Sequence, residues 1–96
     1  NKYPIHDLLT ACKNYAGLKN SRKITFEYIL LKGINDSDED ALELVRLIKE
    51  YQIPAKVNLI PFNPFPKTQY QTSKAVTINQ FQNILYLQIH LLNTPL

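Results

Sequence analysis

The chain has 96 residues and 45% hydrophobic content, enough for one small domain with a core of modest stability. Its 11 Lys+Arg against 8 Asp+Glu leave a formal charge of +3, too slight an excess to mark a nucleic-acid binder without a clustered basic face. The single Cys12 excludes an internal disulfide and a thiolate metal site, which needs about three or four ligands, and it suits a reducing cytoplasm. No apolar stretch approaches the roughly 20 residues that span a bilayer, and "NKYPIHDLL" lacks the apolar region of a signal peptide, so a soluble protein with no membrane partner is expected.

Taken in chain order, Ile5, Leu8, Leu9, Cys12 and Tyr15 recur at helical spacing after Pro4, with Gly17 placed to stop the run; a first helix over about 5–16 is predicted. "LKNSRK" is polar and turn-like. "KITFEYILL" is rich in β-branched and aromatic residues and predicts a strand over 23–31, whose end, Tyr28 to Leu31, is apolar on both faces as in a covered parallel sheet. Gly33 breaks the strand, and Asn35 and Asp36 shape the following turn. Ser37 then caps a second helix over about 38–51, paired with Asp40 and followed by Asp38 and Glu39 at the positive dipole end. Ala41, Leu44, Val45 and Ile48 make its buried stripe. Pro54 closes that helix and "AKVNLIP" is a second short strand. A turn-rich loop from Pro61 to about Val76 leads to a third helix, with Thr77 and Gln80 as a capping box, Val76 and Phe81 as a staple, and Phe81, Ile84 and Leu85 as the inner face.

Helix, strand, helix, strand, helix is the order of a parallel α/β layer or barrel. Such barrels take about 250 residues and two strands alone make a poor sheet, so the expected fold is α/β, a fragment of a parallel (β/α) barrel. Its strands should be parallel, joined by a right-handed crossover, with both outer edges unpaired. Part of the inner face, Tyr28 and Leu30 or their alternates, should meet water, and the fragment should tend to self-associate. Barrels carry their ligand sites at the C-terminal ends of the strands. Asn63 lies on that face, just beyond "KVNLIP", with Pro61 and Pro64 restricting the backbone on either side. Its amide offers two donors and an acceptor, either as a fixed recognition group or in an Asx-turn that bonds only local backbone.

"RKITFEYILLKGINDSDEDALELVRLIK", followed by "IPAKVNLIPFNPFP", closely resembles the later half of the barrel in the radical S-adenosylmethionine RNA methyltransferases. The similarity is greatest to the dual-specificity members that methylate carbon 2 of an adenine in 23S rRNA and in certain tRNAs. It runs from "NKYPI" to about Leu85, and "EY-x-L-L-x-G-x-ND" together with "K-V-N-L-I-P-F-N-P-F-P" is not a generic barrel pattern. The resemblance implies that residues 1–96 are a partial radical-SAM barrel, that S-adenosyl-L-methionine is the cofactor, and that Asn63, in the "P-F/W-N-P" motif, contacts it. In the complete family member it further implies a 4Fe-4S cluster, and 23S rRNA and tRNA as partners.

The departures from the family are as informative. Members hold the cluster through a three-cysteine motif near the start of the barrel, carry the transferred methyl on a further cysteine beyond the last strand, and have a base on an accessory domain. A chain with Cys12 alone has ligands for none of this, and Cys12 falls on an apolar stripe where a thiol acts as a small hydrophobe. "YLQIHLLNTPL" shows neither the glycine turn nor the final strand and arginine-bearing segment that the resemblance leads one to expect. The expectation is therefore a fragment, inactive alone, lacking the cluster-binding half and the C-terminal catalytic segment. It is either a methyltransferase segment or a non-enzymatic remnant of a decayed gene or a small accessory module. Glu27 either points into the barrel or pairs with a basic neighbour, and Asn58 is a weaker candidate for the interior. His6 and His90 lack ligand-spaced partners, so surface or helix-end roles are expected. Lys19, Arg22 and Lys23 are either a solvated loop or contacts for RNA phosphates in a complete enzyme.

Overall fold

The computed structural model describes residues 5–18 and 23–93. Within them run α1 (Ile5–Leu18), β1 (Ile24–Leu30), α2 (Asp38–Glu50), β2 (Ala55–Pro61) and α3 (Ala75–Asn93). The α-β-α-β-α order and the α/β class are as expected. The strands pair in parallel with Ile24 opposite Ala55 and Leu30 opposite Pro61. Lys19 and Arg22 lie outside the described residues.

Alternation along the strands decides which face is covered. Ile24, Phe26, Tyr28 and Leu30 of β1, with Ala55, Val57 and Leu59 of β2, turn to the helices and join two apolar clusters. One cluster centres on Leu30, Ala41, Val45, Phe81 and Leu85. The other centres on Leu9, Ile48, Ile53 and Ala55. The opposite face carries Thr25, Glu27 and Ile29 beside Lys56, Asn58 and Ile60, and no helix covers it. Of the two alternatives for the wet inner face, it is therefore the alternates of Tyr28 and Leu30 that meet water, Ile29 at 51% exposure.

The helix ends show where local chemistry suffices. Ser37 Oγ accepts from the Asp40 N–H and Asp40 Oδ2 accepts from the Ser37 N–H, each over 3.1 Å, so the expected capping box is formed. At the other end α2 stops before Pro54 is reached. Gln52 is left-handed at φ 53, Gln52 N–H donates to Lys49 O and Ile53 N–H to Ile48 O, a Schellman closure in which Ile48 and Ile53 share a cluster. A glutamine in that conformation costs about 1–2 kcal/mol, partly offset because glycine is freer when unfolded. Gln52→Gly should therefore stabilise the chain by about 0.5–1 kcal/mol, read as a higher urea midpoint. An unchanged or lower midpoint contradicts the left-handed closure.

Three expectations are corrected. Gly17 does not stop α1, which continues to Leu18. Only Leu9 of the α1 stripe is buried and Cys12 is half-buried, while Ile5, Leu8 and Tyr15 are about half exposed. A lone two-stranded sheet offers α1 too little surface to bury the whole stripe. Finally, α3 begins at Ala75, so Thr77 and Gln80 lie inside the helix rather than at its cap, and Val76, 70% exposed, makes no staple. Beyond Leu85 the chain simply extends this helix to Asn93.

Candidate functional site

The C-terminal ends of both strands deliver two loops to one edge of the sheet. In the first, residues 31–37, Gly33 takes φ +72, a conformation open to glycine without strain. Asn35 Oδ1 accepts from Leu31 N–H over 2.8 Å while its Nδ2 donates to Ile29 O over 2.9 Å. Ile24 N–H donates to Pro54 O, and backbone groups alternate sides along a strand, so the Ile29 C=O and the Leu31 N–H face away from β2, where the Asn35 amide satisfies them as a neighbouring peptide would. Tyr28 Oη donates to Asn35 O over 2.8 Å. Burial, then the charges of Asp40 and Asp36, push the Tyr28 phenol above its ordinary value. Asn35 and Asp36 thus do shape the turn.

The second loop, residues 62–74, carries Asn63. Its ends meet: Thr72 Oγ1 donates to Phe62 O over 2.6 Å, and Phe62 packs edge-on against Phe65 and Tyr70 at 6.2 and 6.3 Å. A loop closed at its base and filled by its own side chains is a compact Ω-type loop. It is pinned to the first loop by an antiparallel bridge between Leu31 and Thr72, by Lys32 N–H donating to Gln71 O over 2.9 Å, and by Ser73 Oγ donating to Asp36 Oδ2 over 2.7 Å. Asp36 Oδ1 also accepts from Gly33 N–H. Asp36 and Ser73 are the buried polar pair of the described residues, at 9% and 5% exposure. Nothing in the local sequence marks them as partners, since they stand 37 residues apart.

Asn63 itself is exposed, just past the end of β2, and its amide makes no hydrogen bond to any described residue. An Asx-turn does not consume it. The other candidates fall elsewhere on the sheet. Glu27 and Asn58 are directly opposite each other in the ladder, exposed on the helix-free face, and Glu27 has no ion pair among the described residues. Lys23 precedes β1, at the end of the sheet away from Asn63. His6 Nδ1 and Tyr51 Oη share a hydrogen bond of 2.6 Å, a role at the start of α1 as expected.

The donor set separates two cofactors. No group of three or more His, Cys, Asp or Glu able to hold a metal occurs among the described residues, and half-buried Cys12 is the only thiol of the chain. These residues do not fit an iron–sulfur cluster. Asn63, with donors and an acceptor unclaimed beside a pinned loop, fits a contact to a small polar ligand.

Parallel strands with helices on one face and two loops at their C-terminal ends are the arrangement of a segment of an α/β barrel. The crystal structure of a radical SAM methyltransferase from Sphaerobacter thermophilus superimposes with a TM-score of 0.82 at 43% identity, over 90% of this chain and 24% of that one. The fold is therefore that of a fragment of a radical SAM methyltransferase. Two curated relatives sharpen this. The dual-specificity RNA methyltransferase RlmN of Rhizorhabdus wittichii is 56% identical over 85 residues, 88% of this chain and 21% of the relative. RlmN of Methylorubrum extorquens is 59% identical over 85 residues, again 88% of this chain and 20% of the relative. The chain is homologous to RlmN methyltransferases over 88% of its own length, and it spans about a fifth of the length of those relatives. No protein-family profile matches it.

Proposed function

We propose that this chain forms part of the S-adenosylmethionine site of a cytoplasmic radical SAM methyltransferase that acts on carbon 2 of an adenine in 23S rRNA and tRNA. The observation that carries the reading is Asn63: an exposed amide at the C-terminal end of β2, on a loop closed at Phe62 and Thr72, with no hydrogen bond of its own among the described residues. When bound, S-adenosylmethionine supplies the methyl group. The part of Asn63 is to orient it by hydrogen bonds, and the part of the loop is to hold Asn63 still. Relatives named as dual-specificity RNA methyltransferases support the substrate class. No helix among the described residues is long and apolar enough to cross a membrane. Taken alone, the chain exposes Ile29 and the outer edge of β2, beside a groove of about 550 Å³ between β2 and α3, which supports self-association of the isolated segment.

The test places this chain's residues into the matching stretch of the Methylorubrum extorquens enzyme and measures the dissociation constant of S-adenosylmethionine. Asn63→Ala should weaken binding roughly two- to tenfold, the worth of about 0.5–1.5 kcal/mol for one hydrogen bond, and more if the cofactor group is left unsatisfied. An unchanged constant removes Asn63 from the site.

A further inference from the structure

We propose that Asp36 and Ser73 are positioning residues for Asn63, a buried latch that fixes the loop following β2 against the loop following β1. The inference rests on the reading of Asn63 as a cofactor contact and extends it to residues that touch no ligand.

The loop holding Asn63 has weak anchors of its own. Residues 63–67 are all exposed, and the hydrogen bonds inside the loop, Thr68 N–H to Phe65 O over 3.1 Å and Tyr70 N–H to Thr68 Oγ1 over 3.2 Å, serve only its far side. What ties the near side is a relay. Asp36 is held by Gly33 N–H and in turn accepts from Ser73 Oγ; Ser73 adjoins Thr72; Thr72 bridges Leu31 and donates to Phe62 O, the carbonyl that precedes Asn63. Each step is a fixed geometry, and the one bond in it shielded from water is Asp36 to Ser73. A hydroxyl-to-carboxylate bond out of reach of water is both stronger and costlier to break than the exposed bonds around it. It also stands where α3 begins, two residues before Ala75, so the same bond sets the start of the helix and the base of the loop.

A latch that merely stabilised the fold would weaken cofactor binding whether or not Asn63 had its amide. A latch that aims Asn63 loses its effect once that amide is gone. The experiment is a double-mutant cycle in the full-length chimera, reading the dissociation constant of S-adenosylmethionine for Ser73→Ala, Asn63→Ala and both. Ser73→Ala should weaken binding roughly two- to tenfold in the parent and by less than about twofold on top of Asn63→Ala. Thr72→Val, at an exposed position that removes only the bond to Phe62 O, should behave alike and covers the case in which Ser73→Ala fails to fold. Strictly additive effects, or no effect of either latch variant while Asn63→Ala weakens binding, overturn the inference and leave the Asn63 reading standing. No effect of Asn63→Ala overturns both. In the 96-residue chain itself, the backbone order parameter of Asn63 should fall in Ser73→Ala while those of β1 and α2 hold, and an unchanged value at Asn63 counts against the latch.

Discussion

Replacing Phe81 with alanine should unfold the isolated chain at ambient temperature or leave it barely folded. Phe81 is 1% exposed, its ring is 5.1 Å from that of Tyr28, and it joins α3 to Leu30 of β1 and to Ala41 and Val45 of α2. It is the residue through which three elements share one core. Truncating a buried phenylalanine to alanine costs about 3–5 kcal/mol, while a domain of this size holds about 5–14 kcal/mol in all. A sheet of two strands with one face bare belongs at the low end of that range. The expected result is a fall in the thermal midpoint of at least about 12 °C, or no cooperative transition. Val76→Ala is the paired control. Val76 is 70% exposed and staples nothing, so its loss should change stability by less than about 0.5 kcal/mol. A Phe81→Ala variant that melts within a few degrees of the parent would mean that α3 is not docked as described.

How far the fold is legible from sequence depends on the range of the interaction that decides each element. The strands are legible because alternation is local, and the start of α2 because Ser37 and Asp40 carry their whole cap within four residues. The end of α2 is not, since Gln52 has no intrinsic preference for the left-handed conformation it adopts. What holds it there is burial of Ile53 against Ile48 and the two amide bonds of the closure. The start of α3 misleads for a sharper reason. Thr77 and Gln80 have the right spacing for a cap, but the chain is already fixed at Ser73 by Asp36 from the other loop, and the helix starts at Ala75 before the local signal is reached. Asn63 stands out in the sequence through its two flanking prolines, whereas the residues that brace it, Asp36, Thr72 and Ser73, become visible only when both loops meet.

The isolated 96-residue chain, reconstituted anaerobically with iron and sulfide, should take up no stoichiometric cluster and methylate no RNA. The argument concerns donors and distance. Iron–sulfur clusters are held by several thiolates, and the chain has one, Cys12. That thiol is half-buried on α1 against the Leu9 and Ile48 cluster, in a recess it shares with Ala11, Lys23 and Ile24 at the start of β1. Asn63 lies past the opposite end of the sheet. Seven residues of strand separate the two ends, roughly 20 Å at about 3.3 Å per residue, so Cys12 cannot serve a group bound at Asn63 either as a metal ligand or as a carrier of methyl. Cys12→Ala should accordingly leave iron content at the parent's background level. Supplying the chain's residues within the full-length relative from Methylorubrum extorquens, by contrast, adds the four fifths of that RNA methyltransferase which this chain does not span, and there methylation of RNA becomes the readout. Stoichiometric iron and sulfide in the isolated chain, together with a methylated RNA, would show that the segment is catalytic by itself and would require a thiolate arrangement different from the one in which Cys12 packs on α1.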